Sequence, residues 1–163
     1  MYSFSPSSKE ALKSCHEDLQ KILCLALWRS KVDFGISTGH RSPETQKELF
    51  KKGRIFVDGQ WVVVDEDKVI TNADGYIKKS NHNYLPSLAA DIFAYVPGKP
   101  SLTYDMAHMS YLAGVMQSVA LELLDKGNIT HHLTWGANWD NDGELIYDHT
   151  LKDTPHFELQ KID

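Results

Sequence analysis

The chain has 163 residues, 42% hydrophobic and 24% charged, with a formal net charge of −5. That length fits one domain, 1–163, with enough apolar content to bury a real core. The negative balance offers no broad attraction to nucleic acid or to an anionic membrane surface, and no run approaches the ~18 apolar residues of a spanning helix. The opening MYSFSPSSKE lacks the basic and apolar segments of a secretory signal, so synthesis in a cytoplasm is expected.

Ser7-Ser8-Lys9-Glu10 has the spacing of a capping box, with Ser7 as the N-cap and Glu10 reaching back. Leu12, Cys15, Leu19, Ile22, Leu23, Ala26 and Leu27 follow at helical spacing, which predicts one helix over 7–29. Cys15 and Cys24 both read as members of its apolar stripe. On a single helix their Cα atoms lie about 13 Å apart, beyond the reach of a disulfide. Residues 32–37 alternate like a strand, weakened by Gly35. Ser42-Pro43-Glu44 predicts a second helix, with an N-cap, an N1 proline and an acid at the positive end of the dipole, closed by Gly53.

Ile55-Phe56-Val57, Asp58-Gly59 and Trp61-Val62-Val63-Val64 spell a hairpin. A polar stretch over 65–83 reads as loop and leads to a buried strand, Ala89 to Tyr95. After the Pro97-Gly98-Lys99-Pro100 turn, a long helix is predicted over 103–126, with Thr103 as N-cap and Gly127 just past its end. Leu133–Gly136 and His156–Leu159 are the last strand candidates. Helices and short strands without regular βαβ alternation give an α+β class with a mostly antiparallel sheet and flanking helices.

The chemistry lies among the eight histidines. Asp91 opens an apolar run, where an unpaired charge is costly to bury. A cation shared with His82, from the polar loop before it, relieves that cost; a local cap for Asp91 with a solvated His82 is the alternative. His156 begins another apolar strand, three residues after Asp153. His82, Asp91 and His156 make a three-ligand set suited to catalytic zinc, which polarises a carbonyl and acidifies water. Such a site needs a carboxylate outside the ligand set as proton carrier. Asp153 fits that role, or else serves as the turn residue before Pro155. Arg41, between a strand and a helix start, offers a charged fork for a carboxylate or developing oxyanion, or is an ordinary surface arginine.

Gly39-His40-Arg41-Ser42, Ser80-Asn81-His82 with Ala89-Ala90-Asp91, and Asp153-Thr154-Pro155-His156-Phe157-Glu158-Leu159 stand in order along the chain. Together they resemble the D-alanyl-D-alanine carboxypeptidase/L-alanyl-D-glutamate endopeptidase superfamily of zinc peptidases, phage endolysins above all. Trp135-Gly136-Ala137-Asn138-Trp139 is similar to the segment before the final histidine in phage L-alanyl-D-glutamate peptidases. The resemblance covers about residues 10–160. It implies the zinc carboxypeptidase/hedgehog-like fold, zinc on His82, Asp91 and His156, Asp153 as base and Arg41 as carbonyl or oxyanion stabiliser. One departure is plain: eight residues, where the family has six, separate His82 from Asp91, and the usual glycine between them is missing. A two-residue loop enlargement that still lets the ligands converge is expected, and the hairpin reads as an insertion beside the cleft.

The resemblance also implies a monomer acting on the peptidoglycan stem peptide, cutting the L-Ala–D-Glu bond of the cell wall for host lysis. A D-Ala-D-Ala carboxypeptidase and a non-catalytic zinc-containing wall-binding module are the alternatives. Asp140-Asn141-Asp142-Gly143-Glu144 is oxygen-rich, either a calcium site such as some related phage enzymes carry or an Asx-rich turn. His40, His131, His132 and His149 read as structural or surface residues, with His132 or His149 as further candidates to line the cleft or to hold a ligand by hydrogen bond.

Overall fold

The structure is a computed structural model that describes residues 1–144 and 153–162. The predicted first helix is two. Helix α1 runs Pro6–Lys13 and α2 runs Glu17–Arg29. The N-cap of α1 is Ser5, which accepts the Ser8 N–H, while Glu10 pairs with Lys13 instead of reaching back. Periodicity runs straight through the junction, so the break has a tertiary cause. Cys15 bridges in parallel to Ser87, with the His16 N–H on the Ser87 carbonyl and the Ser87 N–H on the Ser14 carbonyl, both at 2.8 Å. Ser14 caps one helix and His16 the next, so the turn leaves few end groups unpaired. Leu19, Ile22, Leu23, Ala26 and Leu27 of α2 are buried as expected. Cys15 is buried too, but Cys24 is exposed, contrary to its place in the apolar stripe; both thiols are free.

Strand β1 is Asp33–Thr38 and α3 is Pro43–Phe50, capped by Ser42. Strands β2 (Arg54–Val57) and β3 (Gln60–Val63) pair only with each other among the described residues. Asp58 and Gly59 hold φ of 49° and 81°, the positive pair that a tight two-residue hairpin needs. Strand β4 is Ala89–Tyr95, as predicted. The long helix α4 is Met106–Asp125 and starts three residues late. Thr103 instead ends a short 3-10 turn over Pro100–Leu102, and the Asp105 carboxylate, the stronger cap, accepts the His108 N–H. Strands β5 (His131–Trp135) and β6 (His156–Lys161) complete the set.

Among the described residues, four strands form an antiparallel sheet in the order β1-β4-β6-β5. Its core face presents Ala90, Ile92 and Ala94 from β4 and Phe157 and Leu159 from β6, packed under α2 and α4. Alternation along each strand turns the residues between them, Asp91, His156 and Glu158, to the other face. The helices thus cover one side, and the uncovered side is left for chemistry. Leu112 of α4 is fully buried in this core. Its truncation in Leu112→Ala is expected to cost about 2–5 kcal/mol, read as a lower urea midpoint with the slope unchanged.

Candidate metal centre and cleft

Three separate pieces of chain supply the centre. Asp91 and His156 are directly opposite each other in the β4–β6 ladder, so their side chains stand together on the uncovered face. His82 comes from a 3-10 turn, Asn81–Asn83, whose start is held by Ser80 and by the Asn83 side chain on the Ser80 N–H. The Arg41 N–H donates to the His82 carbonyl at 2.8 Å, and the Asn83 amide returns to the Arg41 carbonyl at 2.9 Å. The first two elements of the sequence pattern are therefore tied by backbone, and the enlarged loop before Asp91 still lets His82 reach the sheet.

The donor atoms converge closely. His82 Nε2 lies 3.1 Å from Asp91 Oδ1 and 3.2 Å from His156 Nδ1, and His156 Nδ1 lies 3.1 Å from Asp91 Oδ1. The outer partners fix which atoms face inward. His82 Nδ1 sits 2.7 Å from the Gly39 carbonyl, and His156 Nε2 sits 3.0 Å from Glu158 Oε2. Carbonyl and carboxylate oxygens only accept, so those outer nitrogens carry the protons. With both rings neutral, the inward atoms are then three acceptors with no donor among them, in a site where both rings are buried. Such a cluster is stable only with a cation at its centre, a proton or a metal ion. Two nitrogens and one oxygen suit zinc, and the outer hydrogen bonds are those that orient metal-binding imidazoles.

The electrostatics agree. Burial alone would lower His156, but Asp91 and Glu158 more than offset it and push the imidazole up to about 9. Burial alone would raise Asp91, yet hydrogen bonds from His156 and His82 hold it far below the usual carboxylate range. Asp91 Oδ2 also accepts from Arg41 Nη2 at 3.1 Å, while Arg41 Nη1 donates to Gln46 at 2.9 Å. Gln46 is fully buried and its amide continues to the Ala73 carbonyl and Thr71 hydroxyl. Asp153 sits half-buried in the turn before β6, where burial pushes its carboxyl up.

These groups share a cleft of about 850 Å³ that Arg41, His82, Asp91, Asp153, His156 and Glu158 all line. Trp139 forms one wall, its ring 5.4 Å from that of His156. Trp135 of the same segment is buried and donates to the Thr154 carbonyl. Gly136 carries the close approach of the two turns. A Cβ there would meet the Asp153 carbonyl oxygen at 2.4 Å.

All five predicted site residues therefore gather in one place. Glu158 and Gln46 were given no role from sequence. The two-residue step from His156 to Glu158 along one strand face was the available signal for Glu158; Gln46 carried none, since two of its three partners are 25 and 27 residues away. His132 is exposed and borders a separate cavity of about 500 Å³ by α4, not the cleft. His149 lies outside the described residues. Asp140 and Asp142 are exposed; the Asp142 N–H is 3.4 Å from Asp140 Oδ1 and the Glu144 N–H donates to Asp142 Oδ1, so the segment is an Asx-type turn, and nothing there supports calcium.

A half-buried carboxylate between two buried imidazoles on the floor of an open cleft is the donor arrangement of a metal-dependent hydrolase. The profile of the phage L-alanyl-D-glutamate peptidases matches residues 1–160, and the chain belongs to that family. It is a peptidase of the peptidoglycan stem peptide in bacterial cell wall. Its fold is similar to that in the crystal structure of Serratia marcescens L-Ala D-Glu endopeptidase ChiX, at a TM-score of 0.61 and 24% identity over 97% of this chain and 90% of that one. No curated protein matches the chain. No helix among the described residues is long and apolar enough to cross a membrane.

Two measurements probe the centre. Because His156 must lose its proton to bind a metal, affinity is expected to fall about tenfold per pH unit below about 9, with one proton released per ion; calorimetry in buffers of different ionisation enthalpy counts that proton. Glu158→Gln should weaken metal binding about 10–100-fold with the fold intact, as read by competition against a chromogenic chelator.

Proposed function

We propose that the chain is a zinc-dependent endopeptidase in which His82, Asp91 and His156 hold the metal, Asp153 carries the proton and Arg41 steadies the carbonyl oxygen. The observation that carries this reading is the meeting of three inward-facing atoms, 3.1–3.2 Å apart, that are all acceptors when both rings are neutral. Zinc bound there supplies a Lewis acid for the scissile carbonyl and for water.

The remaining work falls to the chain's own side chains. Asp153, raised by burial, is better suited than an exposed carboxylate to take a proton from the attacking water and pass it to the leaving amine. Arg41 has one nitrogen committed to Asp91 and another to Gln46. It thereby holds a metal ligand in place and keeps its positive charge at the cleft, where a carbonyl oxygen gains negative charge during attack. Lys78 and Lys79 border the same cleft without a carboxylate partner among the described residues, which suits the free carboxylates of a stem peptide. Trp139 offers an apolar wall beside His156 and limits water at the reacting bond.

Mass analysis of stem peptides after digestion tests the bond: L-Ala–D-Glu cleavage is expected, and release of a terminal D-Ala would move the assignment to a carboxypeptidase. Asp153→Asn should keep zinc at full stoichiometry and lose turnover by about 10²-fold or more, whereas His156→Ala should lose both. Equal activity of Asp153→Asn and the parent would remove Asp153 from the role of proton carrier. Gly136→Ala, whose Cβ would meet the Asp153 carbonyl oxygen at 2.4 Å and the His156 Cβ at 3.0 Å, should lower kcat and weaken metal binding together.

A further inference from the structure

A second group of metal donors lies outside the cleft. His16 caps α2, Asp18 is the second residue of that helix, and His131 opens β5. One donor atom from each lies within 4.8 Å of the other two. Register places this group on the far side of the sheet from the catalytic centre. His131 pairs with Lys161, five residues along β6 from His156, and an odd step turns a side chain to the opposite face.

We propose that His16, Asp18 and His131 form a second binding site for a divalent transition-metal ion of the zinc type, which would clamp the start of α2 to the start of β5. The donor chemistry, two imidazoles and one carboxylate, selects zinc-like ions over calcium or magnesium, which take oxygen ligands. The geometry is close to formed. Zinc–ligand bonds of about 2.1 Å set tetrahedral donors about 3.4 Å apart, so donors already within 4.8 Å need only small shifts. The two rings stand edge to face with centroids 4.8 Å apart, and Asp18 Oδ2 is 2.8 Å from His131 Nδ1.

Burial has the pattern of a three-ligand site with open positions. Asp18 is 2% exposed, while both histidines are half-buried and reachable by solvent. The backbone holds each donor independently: His16 through its N–H on Ser87, Asp18 by its place in the helix and by the Thr130 N–H at 2.9 Å, and His131 by pairing with β6. The positive end of α2 opposes a cation, and Lys21 stands 3.9 Å from Asp18 Oδ1. Glu17 and Asp18 in the first turn offset the former, and the Lys21 ammonium already has the Asn128 carbonyl at 2.9 Å and Glu17 at 3.8 Å as other partners.

One consequence separates a metal site from a hydrogen-bonded hub. His16 Nδ1 accepts the Asp18 N–H at 3.2 Å. A metal bound at Nδ1 takes that lone pair, and a metal bound at Nε2 leaves a proton on Nδ1. Either way the Asp18 amide loses its acceptor.

Equilibrium dialysis of the full chain against zinc tests the proposal. Two equivalents are expected for the parent, one for His131→Asn with stem-peptide cleavage kept within about twofold, one for His156→Ala, and none for the double variant. A zinc count that His131→Asn does not lower by one equivalent overturns it. Nuclear magnetic resonance of the parent needs no variant: the Asp18 amide and the His16 and His131 ring signals should shift as zinc is added to saturation, and their constancy throughout also overturns the proposal. Because the readouts are metal count and resonance position, failure here leaves the catalytic assignment at His82, Asp91 and His156 standing, and failure there leaves this one standing.

Discussion

The structure depends on a cross-strand pair, Asp91 of β4 opposite His156 of β6. Side chains alternate along a strand, so this register does two things at once. It sets Asp91 and His156 side by side on the uncovered face, and it sets Ile92 and Phe157 into the core beneath the helices. A slip of one residue would bury the charges and expose the apolar set. The requirement for a core and the requirement for a site are thus met by one alignment, and neither can change without the other.

That alignment supplies two of three donors. The third, His82, comes from a capped 3-10 turn bonded by backbone to Arg41. Arg41 in turn binds Asp91 and Gln46, and Gln46 binds the 71–73 segment. A buried carboxylate is costly unless it is paired and hydrogen-bonded. Here the pairing is spread over two imidazoles and a guanidinium, each held from behind by another group. The acceptors facing one another are therefore fixed by the chain's own hydrogen bonds.

The far side of the sheet carries the same donor types in a different setting. Around His82, Asp91 and His156, Gly39 and Glu158 hold the rings from outside. At His16, Asp18 and His131 the donors are placed by a helix start and a strand start, and one of the rings doubles as a helix cap. The break between α1 and α2 makes this arrangement, because it frees His16 from a helical backbone and turns it toward β5. Pairing of residues 14–16 with Ser87 thus shapes both faces: it places His16 on one, and it anchors the start of β4, which bears Asp91, on the other.

Local signals determined much of this chain. The N-cap at Ser42, the hairpin at Asp58-Gly59, the buried run from Ala89 to Tyr95 and Gly127 past the end of α4 all rest on interactions a few residues long. The order of Arg41, His82, Asp91, Asp153 and His156 was also readable, because the motifs that carry them stand in the order of the peptidase family that the sequence resembles. Tertiary structure decided the rest. It split the first helix, since a backbone pairing across more than 70 residues outweighs a continuous periodicity. It gave roles to Gln46 and Glu158, and it joined His16 and Asp18 to His131 across more than 110 residues. Pattern and propensity report on neighbours in sequence, whereas partners of this kind meet only when the sheet register and the helix packing are set.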